Sequence, residues 1–227
     1  MNIQGYQKMT LLDYPTKVAC TVFTGGCNLR CPFCHNAGLV LNPTEAENAE
    51  SEVLVYLEKR KGIIDGVCIT GGEPLLDSGL SEFIMKVKDM GYLVKLDTNG
   101  SLPERLEKII QTGLVDYIAM DIKSSIAGYK KASGSNIPFE AFKKSIDLIK
   151  KSGIDHEFRT TAVKGIHQAE DFEEIAKLLK GEKKYFIQQF IDSGNLISDG
   201  CSPFSAEETA GILKAVQKYV PEATIRG

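Results

Sequence analysis

The sequence predicts an α/β fold, namely an incomplete (β/α)6 TIM-like barrel of parallel strands. Short β-rich runs alternate with helical segments six times along the 227 residues, an order typical of parallel strands joined by right-handed crossovers. A complete eight-unit barrel usually takes about 250 residues, so six units in this length indicate a barrel that does not close. Because no linker interrupts the pattern, we expect residues 1–227 to form a single domain.

The predicted strands are runs rich in β-branched, aromatic and apolar residues that end at glycines or polar residues. They cover residues 18–23, 66–70, 92–97, 117–121, 156–162 and 185–190. Amphipathic segments that favour helices lie at 51–61, 78–90, 103–112, 138–151, 170–179 and 206–219. Residues 191–204, rich in serine, glycine and aspartate, are predicted as a long loop over the mouth of the barrel, where they form a lid or face a partner.

Charge and hydropathy argue against two classes of protein. The formal net charge of -3 speaks against nucleic-acid binding, which requires a basic face. The first eight residues lack the apolar centre of a signal peptide, and no run approaches the roughly 20 apolar residues that span a bilayer. We therefore expect a cytoplasmic protein that binds neither nucleic acid nor membrane.

Three cysteines, Cys27, Cys31 and Cys34, lie directly after the first predicted strand. A closed zinc site or an ordinary ferredoxin cluster takes four protein ligands. If three thiolates hold a cluster of four irons, one iron lacks a protein ligand and is free to bind a substrate. The alternative is a small zinc site completed by His35 or a distant cysteine, although zinc ligands usually come as C-x2-C pairs.

Polar and glycine-rich motifs follow the other predicted strands. The chemistry of such barrels lies at the carboxyl ends of the strands, so we expect these motifs to surround one site with the thiols. They are Gly71-Gly72-Glu73-Pro74 after the second strand, Thr98-Asn99-Gly100 after the third, Asp121 and Lys123 at the fourth, and Arg159 within the fifth. Asp121 and Lys123 face the same side of a strand, where they bind a ligand or form a plain inward salt bridge. Gln188 and Gln189 of the sixth strand are weak candidates on their own.

The remaining cysteines and histidines have no motif around them. Cys20 and Cys68 lie within predicted strands and are expected to be small buried apolar residues. Cys201 lies in the 191–204 loop and is either a redox or partner-contacting thiol or has no role. His156 and His167 are expected to be ordinary surface or strand residues.

The thiol motif C-x3-C-x2-C, with the aromatic Phe33 before the third cysteine, resembles the signature of the radical S-adenosylmethionine (SAM) enzymes. Its flanking residues are similar to those of the activating enzymes of glycyl-radical proteins: Thr10-Leu11-Leu12-Asp13-Tyr14-Pro15, then Phe23, Gly26-Cys27 and Cys34-His35-Asn36. Within that group the likeness is greatest to the activases of anaerobic ribonucleoside-triphosphate reductases, with pyruvate formate-lyase activase as a more distant relative.

The resemblance implies that Cys27, Cys31 and Cys34 hold a [4Fe-4S] cluster whose open iron binds SAM. It further implies that Phe33 and His35 lie beside SAM and that the Gly71-Gly72-Glu73 motif binds its ammonium group. By the same resemblance Thr98, Asn99, Asp121 and Lys123 belong to the SAM site. Arg159 either binds the carboxylate of SAM or lies beside the backbone of the target. Asp97, Thr98 and Asp121 match positions that help to hold a monovalent cation in pyruvate formate-lyase activase.

The activity implied by the resemblance is the reductive cleavage of SAM to a 5'-deoxyadenosyl radical. That radical takes a hydrogen atom from a glycine of a partner glycyl-radical enzyme, here the anaerobic ribonucleotide reductase. The chain has no added cysteine-rich region, so its electrons are expected from flavodoxin or ferredoxin. The sequence departs from the family in three places: Thr16 stands where many relatives have glycine, Cys27 is preceded by Gly25-Gly26, and no histidine follows the sixth strand to contact SAM.

Two other functions remain open at this point. One is a radical SAM enzyme that acts on a small molecule, as the 7-carboxy-7-deazaguanine synthases do, which would have a pocket closed by its own chain. The other is a protein whose cluster or zinc is only structural. An activase should instead have a shallow mouth that admits a loop of its partner.

Overall fold

The computed structural model describes residues 1–44 and 49–227. Within them lie eight strands: β1 Ile3–Thr10, β2 Ala19–Thr24, β3 Gly66–Gly71, β4 Leu93–Thr98, β5 Tyr117–Asp121, β6 Asp155–Ala162, β7 Tyr185–Gln189 and β8 Thr224–Arg226. The α-helices of the same ranges are α1 Ala37–Leu41, α2 Ala49–Glu58, α3 Leu80–Asp89, α4 Pro103–Thr112, α5 Tyr129–Ser133, α6 Phe139–Ser152, α7 Ala169–Leu178 and α8 Ala206–Val216. A 3-10 turn spans Pro74–Leu76.

The eight strands form one sheet in the order of the chain, from β1 to β8. Strands β2 to β8 are parallel, whereas β1 pairs antiparallel with β2. The predicted α/β fold, an incomplete barrel of parallel strands, is therefore confirmed. All six predicted strands and all six predicted helices are present, within a few residues of their expected bounds.

Two strands and two helices of the described ranges were not predicted from the sequence. Strand β1 carries polar and charged side chains along much of its length, so it lacks the apolar run that reveals a buried strand. Strand β8 has only three residues. The short helices α1 and α5 lie in stretches predicted as connections, and the last helix ends at Val216 rather than at residue 219.

The core lies between the sheet and the helices that cover its outer face. Apolar positions of the strands alternate with polar ones, as in β4, where Val94 and Leu96 are buried against the helices. Lys95 and Asp97, on the opposite face of the same strand, point into the barrel. The interior of this barrel is therefore lined by charged side chains. None of the helices in the described ranges is long and apolar enough to cross a membrane.

Residues 11–17 close the end of the barrel at which the parallel strands begin. Tyr14 is buried, and its ring lies 5.8 Å from that of Tyr117. Asp13 reaches into the barrel, where its Oδ2 accepts a hydrogen bond from Thr21 Oγ1 at 2.6 Å. Thr16 has a φ of 63°, in the left-handed region that favours glycine, which explains why glycine suits this position. This segment therefore supports the fold from the end opposite to the thiols.

Candidate active site

A cavity of about 260 Å³ opens at the carboxyl ends of the parallel strands. It gathers the predicted site residues from five strands and their loops, with the side chain of Glu73 as the exception. The lining includes Cys27, Cys31, Phe33, Cys34, His35, Gly71, Gly72, Asp97, Thr98, Asn99, Asp121, Lys123 and Arg159. It also includes residues to which the sequence analysis gave little or no weight: Leu29, Asn36, Val40, Thr70, Thr161 and Gln188.

The thiol loop, residues 25–36, is held in place by its contact with the glycines after β3. The N–H of Glu73 donates to the carbonyl of Gly26 at 2.8 Å. A Cβ atom at Gly72 would lie 1.9 Å from that same carbonyl oxygen, so no other residue fits there without a shift of the backbone. The absence of a side chain at Gly72 therefore first serves the packing of two loops, a reason that the sequence analysis did not foresee.

Cys31 is the most buried of the three thiols, at 7% exposure, and burial raises its pKa to about 11. Burial also raises the pKa of Cys27, whose Sγ accepts hydrogen bonds from Leu29 N at 3.4 Å and from Asn99 Nδ2 at 3.6 Å. The positive charge of Lys123 favours the thiolate form of both cysteines. Three free thiols, two amide donors and one nearby cation suit a negatively charged iron–sulfur cluster.

The arrangement of the thiols bears on the choice between zinc and a cluster. Within residues 1–44 and 49–227, no group of three or more His, Cys, Asp or Glu side chains is arranged to hold a single metal ion. A zinc site gathers all its ligands around one ion, whereas in a cubane cluster each thiolate binds an iron of its own. The three thiols line one cavity, an arrangement that suits a cluster in which each thiolate binds its own iron.

Glu73 faces away from the cavity and is 1% exposed. Its carboxylate accepts hydrogen bonds from Leu75 N at 3.1 Å, Thr98 Oγ1 at 2.9 Å and Asn99 N at 2.7 Å. Burial raises the pKa of Glu73 to about 7, although these donors favour the charged form. The side chain therefore joins the loops after β3 and β4, and its predicted contact with a ligand stays a prediction.

A row of alternating charges crosses the floor of the cavity. Arg159 lies at its centre, with Nε 2.8 Å from Asp121 Oδ1 and NH1 3.1 Å from Asp97 Oδ2. Lys123 binds the other oxygen of Asp121 at 3.1 Å, and the buried Lys95 binds Asp97. Burial opposes ionisation, but the neighbouring cations hold the pKa of both carboxyl groups below the usual range. The floor is therefore fully charged near neutral pH.

The two histidines near the site differ from each other. His35 lines the cavity, its ring 5.6 Å from that of Phe190, and burial lowers its pKa. His167 was expected at the surface or in a strand, but it lies in the loop after β6 and is 1% exposed. Its Nδ1 accepts a hydrogen bond from Val163 N, so its Nε2 donates to the carbonyl of Lys123 at 2.7 Å. His167 thus fixes the backbone that carries Lys123.

Several other expectations can be compared with the described residues. Cys20 and Cys68 are fully buried, as predicted. His156 lies in β6 and pairs with Glu182 at 2.8 Å, as an ordinary strand residue. The 191–204 loop lies against the thiol loop, since Ser198 N donates to the carbonyl of Pro32 at 3.0 Å. Its predicted place over the mouth stays a prediction.

A partial barrel whose mouth gathers three thiols, charged side chains and glycine-rich loops is an enzyme fold built around a bound cofactor. Residues 21–179 match the family model of the radical SAM superfamily. The chain therefore belongs to this superfamily and is a radical SAM enzyme. Membership implies a [4Fe-4S] cluster and SAM as cofactors, which agrees with the donor set of the cavity.

Similar proteins extend the comparison over most of the chain. A protein of Methanocaldococcus jannaschii named for the activation of glycyl-radical enzymes is 36% identical over 193 residues, which are 83% of this chain and 79% of that protein. The pyruvate formate-lyase-activating enzyme of Listeria monocytogenes is 34% identical over 131 residues, 53% of this chain and 52% of that enzyme. SuiB of Streptococcus suis bound to SAM has the same fold, with a TM-score of 0.66 and 14% identity over 89% of this chain and 48% of SuiB.

Proposed function

We propose that this chain is an activase that installs a glycyl radical in a partner enzyme, the anaerobic ribonucleotide reductase. The observation that carries the proposal is the 36% identity, over most of both chains, to a protein named for the activation of glycyl-radical enzymes. Residues 1–227 would form one catalytic domain that works in the cytoplasm. Flavodoxin or ferredoxin would supply its electrons.

Cys27, Cys31 and Cys34 would hold the cluster at the wall of the cavity. When bound, the cluster and SAM supply the one-electron cleavage that generates a 5'-deoxyadenosyl radical. The protein supplies binding, orientation and exclusion of water. Cys27 is held by two N–H donors, which also tune the electronic properties of whatever its sulfur binds.

The cavity offers groups that match the charges of SAM. Lys123 and Arg159 attract a carboxylate, and Asp121 attracts an ammonium or sulfonium group. Phe33 gives an apolar wall beside the exposed His35, and Gln188, Thr98 and Asn99 offer polar contacts. A monovalent cation at Asp97, Thr98 and Asp121 is part of the proposal, and it would share both carboxylates with Arg159. A dependence of SAM affinity on potassium concentration tests this point.

The cavity measures about 260 Å³ and opens at the carboxyl ends of the parallel strands. The cluster and SAM would share this space. The hydrogen donor would therefore approach from the mouth, as a loop of another protein can.

The first test asks whether the chain cleaves SAM. The protein is purified without oxygen, reconstituted with iron and sulfide, and given SAM and dithionite. Formation of 5'-deoxyadenosine is expected, and its absence from fully loaded protein would refute any radical SAM chemistry. Cys31→Ala should abolish the cluster absorbance near about 400 nm, whereas Cys201→Ala, a change in the 191–204 loop, should leave it intact.

The second test identifies the partner. The loaded enzyme is incubated with SAM, a reductant and either an anaerobic ribonucleotide reductase or pyruvate formate-lyase. A glycyl-radical signal in electron paramagnetic resonance (EPR) spectra is expected with the reductase alone. SAM cleavage with no signal in either protein would instead favour a small-molecule substrate, such as that of a 7-carboxy-7-deazaguanine synthase.

A further inference from the structure

A compact basic surface lies on the outer side of the thiol loop. We call it the basic face and define it by Arg30, Lys130 and Lys131, all three of which are exposed. Within the described ranges, no carboxylate forms an ion pair with any of them. The Arg30 guanidinium binds the carbonyls of Cys27 and Leu29, and Lys131 Nζ donates to the carbonyl of Gly165. Their charges are therefore available to a partner.

Helix α5 is the element that brings these charges to the thiol loop. The N–H of Arg30 donates to the carbonyl of Ser133 at 2.8 Å, and Gly134 follows directly. A Cβ atom at Gly134 would lie 2.1 Å from the carbonyl oxygen of Arg30, so the two segments are in direct contact. Lys130 lies one helical turn before Gly134 and hence on the same side of α5.

The basic face lies directly outside one of the thiols. Cys31 Sγ is 3.8 Å from the carbonyl oxygen of Ser133, the same oxygen that accepts the Arg30 N–H. Cys31 is 7% exposed, whereas Gly134, next to Ser133, is exposed and carries no side chain. Only a thin layer of backbone therefore separates this thiol from the surface between Arg30 and Lys130.

We propose that the basic face is the docking site of a small acidic one-electron carrier protein. The inference rests on the proposed function, because it takes the three thiols to hold a redox cluster. Acidic residues of the carrier would pair with Arg30, Lys130 and Lys131, and the exposed side chain of Ile126, in the turn that precedes α5, adds an apolar contact. The carrier is then oxidised by one electron, and the cluster is reduced by one.

The position of the face favours this occupant over the protein that donates the hydrogen atom. A substrate loop has to enter the cavity from the mouth, where its glycine can meet a radical. An electron carrier does not have to enter, since it needs only a short path through protein to a cluster ligand. The basic face offers such a path and leaves the mouth open, so both partners can bind at their own places.

The test measures binding of the cluster-loaded enzyme to an oxidised flavodoxin and, separately, to an oxidised ferredoxin by isothermal titration calorimetry. The double variant Lys130→Glu/Lys131→Glu should bind at least one carrier about tenfold more weakly than wild type, because opposite surface charges attract the two proteins. Raised salt screens these charges and should therefore reduce the difference in affinity between the variant and wild type. The matched control Lys214→Glu/Lys218→Glu changes two exposed lysines, one in the last turn of α8 and one just after that helix, and should bind as wild type does. A third variant, Arg30→Gln, should weaken binding while the cluster absorbance shows whether the loop is intact.

Activity assays separate this inference from the proposed function. With dithionite as reductant, Lys130→Glu/Lys131→Glu should form 5'-deoxyadenosine as fast as wild type, but with the reduced carrier it should be slower. The docking site is wrong if neither carrier binds wild type. It is also wrong if Lys130→Glu/Lys131→Glu binds the carriers as tightly as Lys214→Glu/Lys218→Glu does. Either result can occur while dithionite still supports SAM cleavage. If the glycyl-radical yield falls with dithionite too, the basic face belongs to the substrate protein. Failure of SAM cleavage in wild type with dithionite refutes the proposed function instead.

Discussion

Replacement of Glu73 by alanine separates a structural from a ligand-binding role of its carboxylate. The change removes the acceptor of two buried backbone N–H groups, those of Leu75 and Asn99, and of the Thr98 hydroxyl. A buried donor left without a partner costs about 1–3 kcal/mol. Leaving the two backbone donors without an acceptor should therefore lower the free energy of unfolding by about 2–6 kcal/mol, out of a typical total of about 5–15 kcal/mol.

The assay is urea unfolding of the apoprotein, followed by circular dichroism, beside SAM titration of the loaded protein. Glu82→Ala is the control, since Glu82 is an exposed residue of α3 that forms a surface pair with Lys86. Its replacement should cost less than about 0.5 kcal/mol. If Glu73→Ala unfolds as wild type does and loses only SAM affinity, the carboxylate contacts the ligand and the structural role is refuted.

The pH dependence of the free energy of unfolding is a second test of the role of Glu73. Its pKa is about 7 in the folded protein against an ordinary value of 4.5, so the native state binds the proton more tightly than the unfolded state. Stability from this group is full below pH 4.5 and falls as pH rises towards 7, by at most about 3 kcal/mol. Glu73→Gln should remove this slope. An equal slope in the variant and wild type would show that Glu73 does not titrate there.

Three further predictions concern the loops and the floor of the cavity. Gly72→Ala should prevent the thiol loop from packing and lower the iron content after reconstitution several-fold, whereas Gly38→Ala, with open space around it, should load normally. Arg159→Met leaves buried carboxylates short of a partner and should lower the free energy of unfolding by about 3–5 kcal/mol in urea titrations; a loss below 1 kcal/mol would contradict the charge row. Asn99→Ala removes a donor to Cys27 Sγ and should lower the reduction potential of the cluster, measured by EPR-monitored redox titration, since such bonds help to set the potential; an unchanged potential would show that the donor does not reach the sulfur.

The sequence was sufficient for the fold and for most of the cavity lining because of one property of parallel barrels. Strands that run in parallel deliver their carboxyl ends to the same edge, so motifs distant in the chain meet without further information. Cys31, Gly72, Asn99 and Arg159 all line the cavity for this reason. For motifs that directly follow predicted strands, the parallel arrangement of the strands is enough to predict that they meet.

Contacts that depend on packing could not be predicted in this way. The clash that excludes a side chain at Gly72 arises from a loop 46 residues earlier in the chain, at Gly26. Glu73 turns away from the cavity because Thr98 and Asn99 offer it donors. His167 is buried by partners from other elements, and no local pattern marks it.

The short strand β8 affects the charges at the site through one of its three residues. Arg226 of this strand binds both carboxylate oxygens of the buried Glu157, at 2.9 and 3.1 Å. Without it, Glu157 would turn to Arg159, whose NH1 lies 3.8 Å from the nearer oxygen. Because Arg226 neutralises Glu157, Arg159 keeps its hydrogen bonds to Asp97 and Asp121. The last strand of the sheet thus helps to set the charge at the cavity floor, although it contributes no residue to the cavity lining.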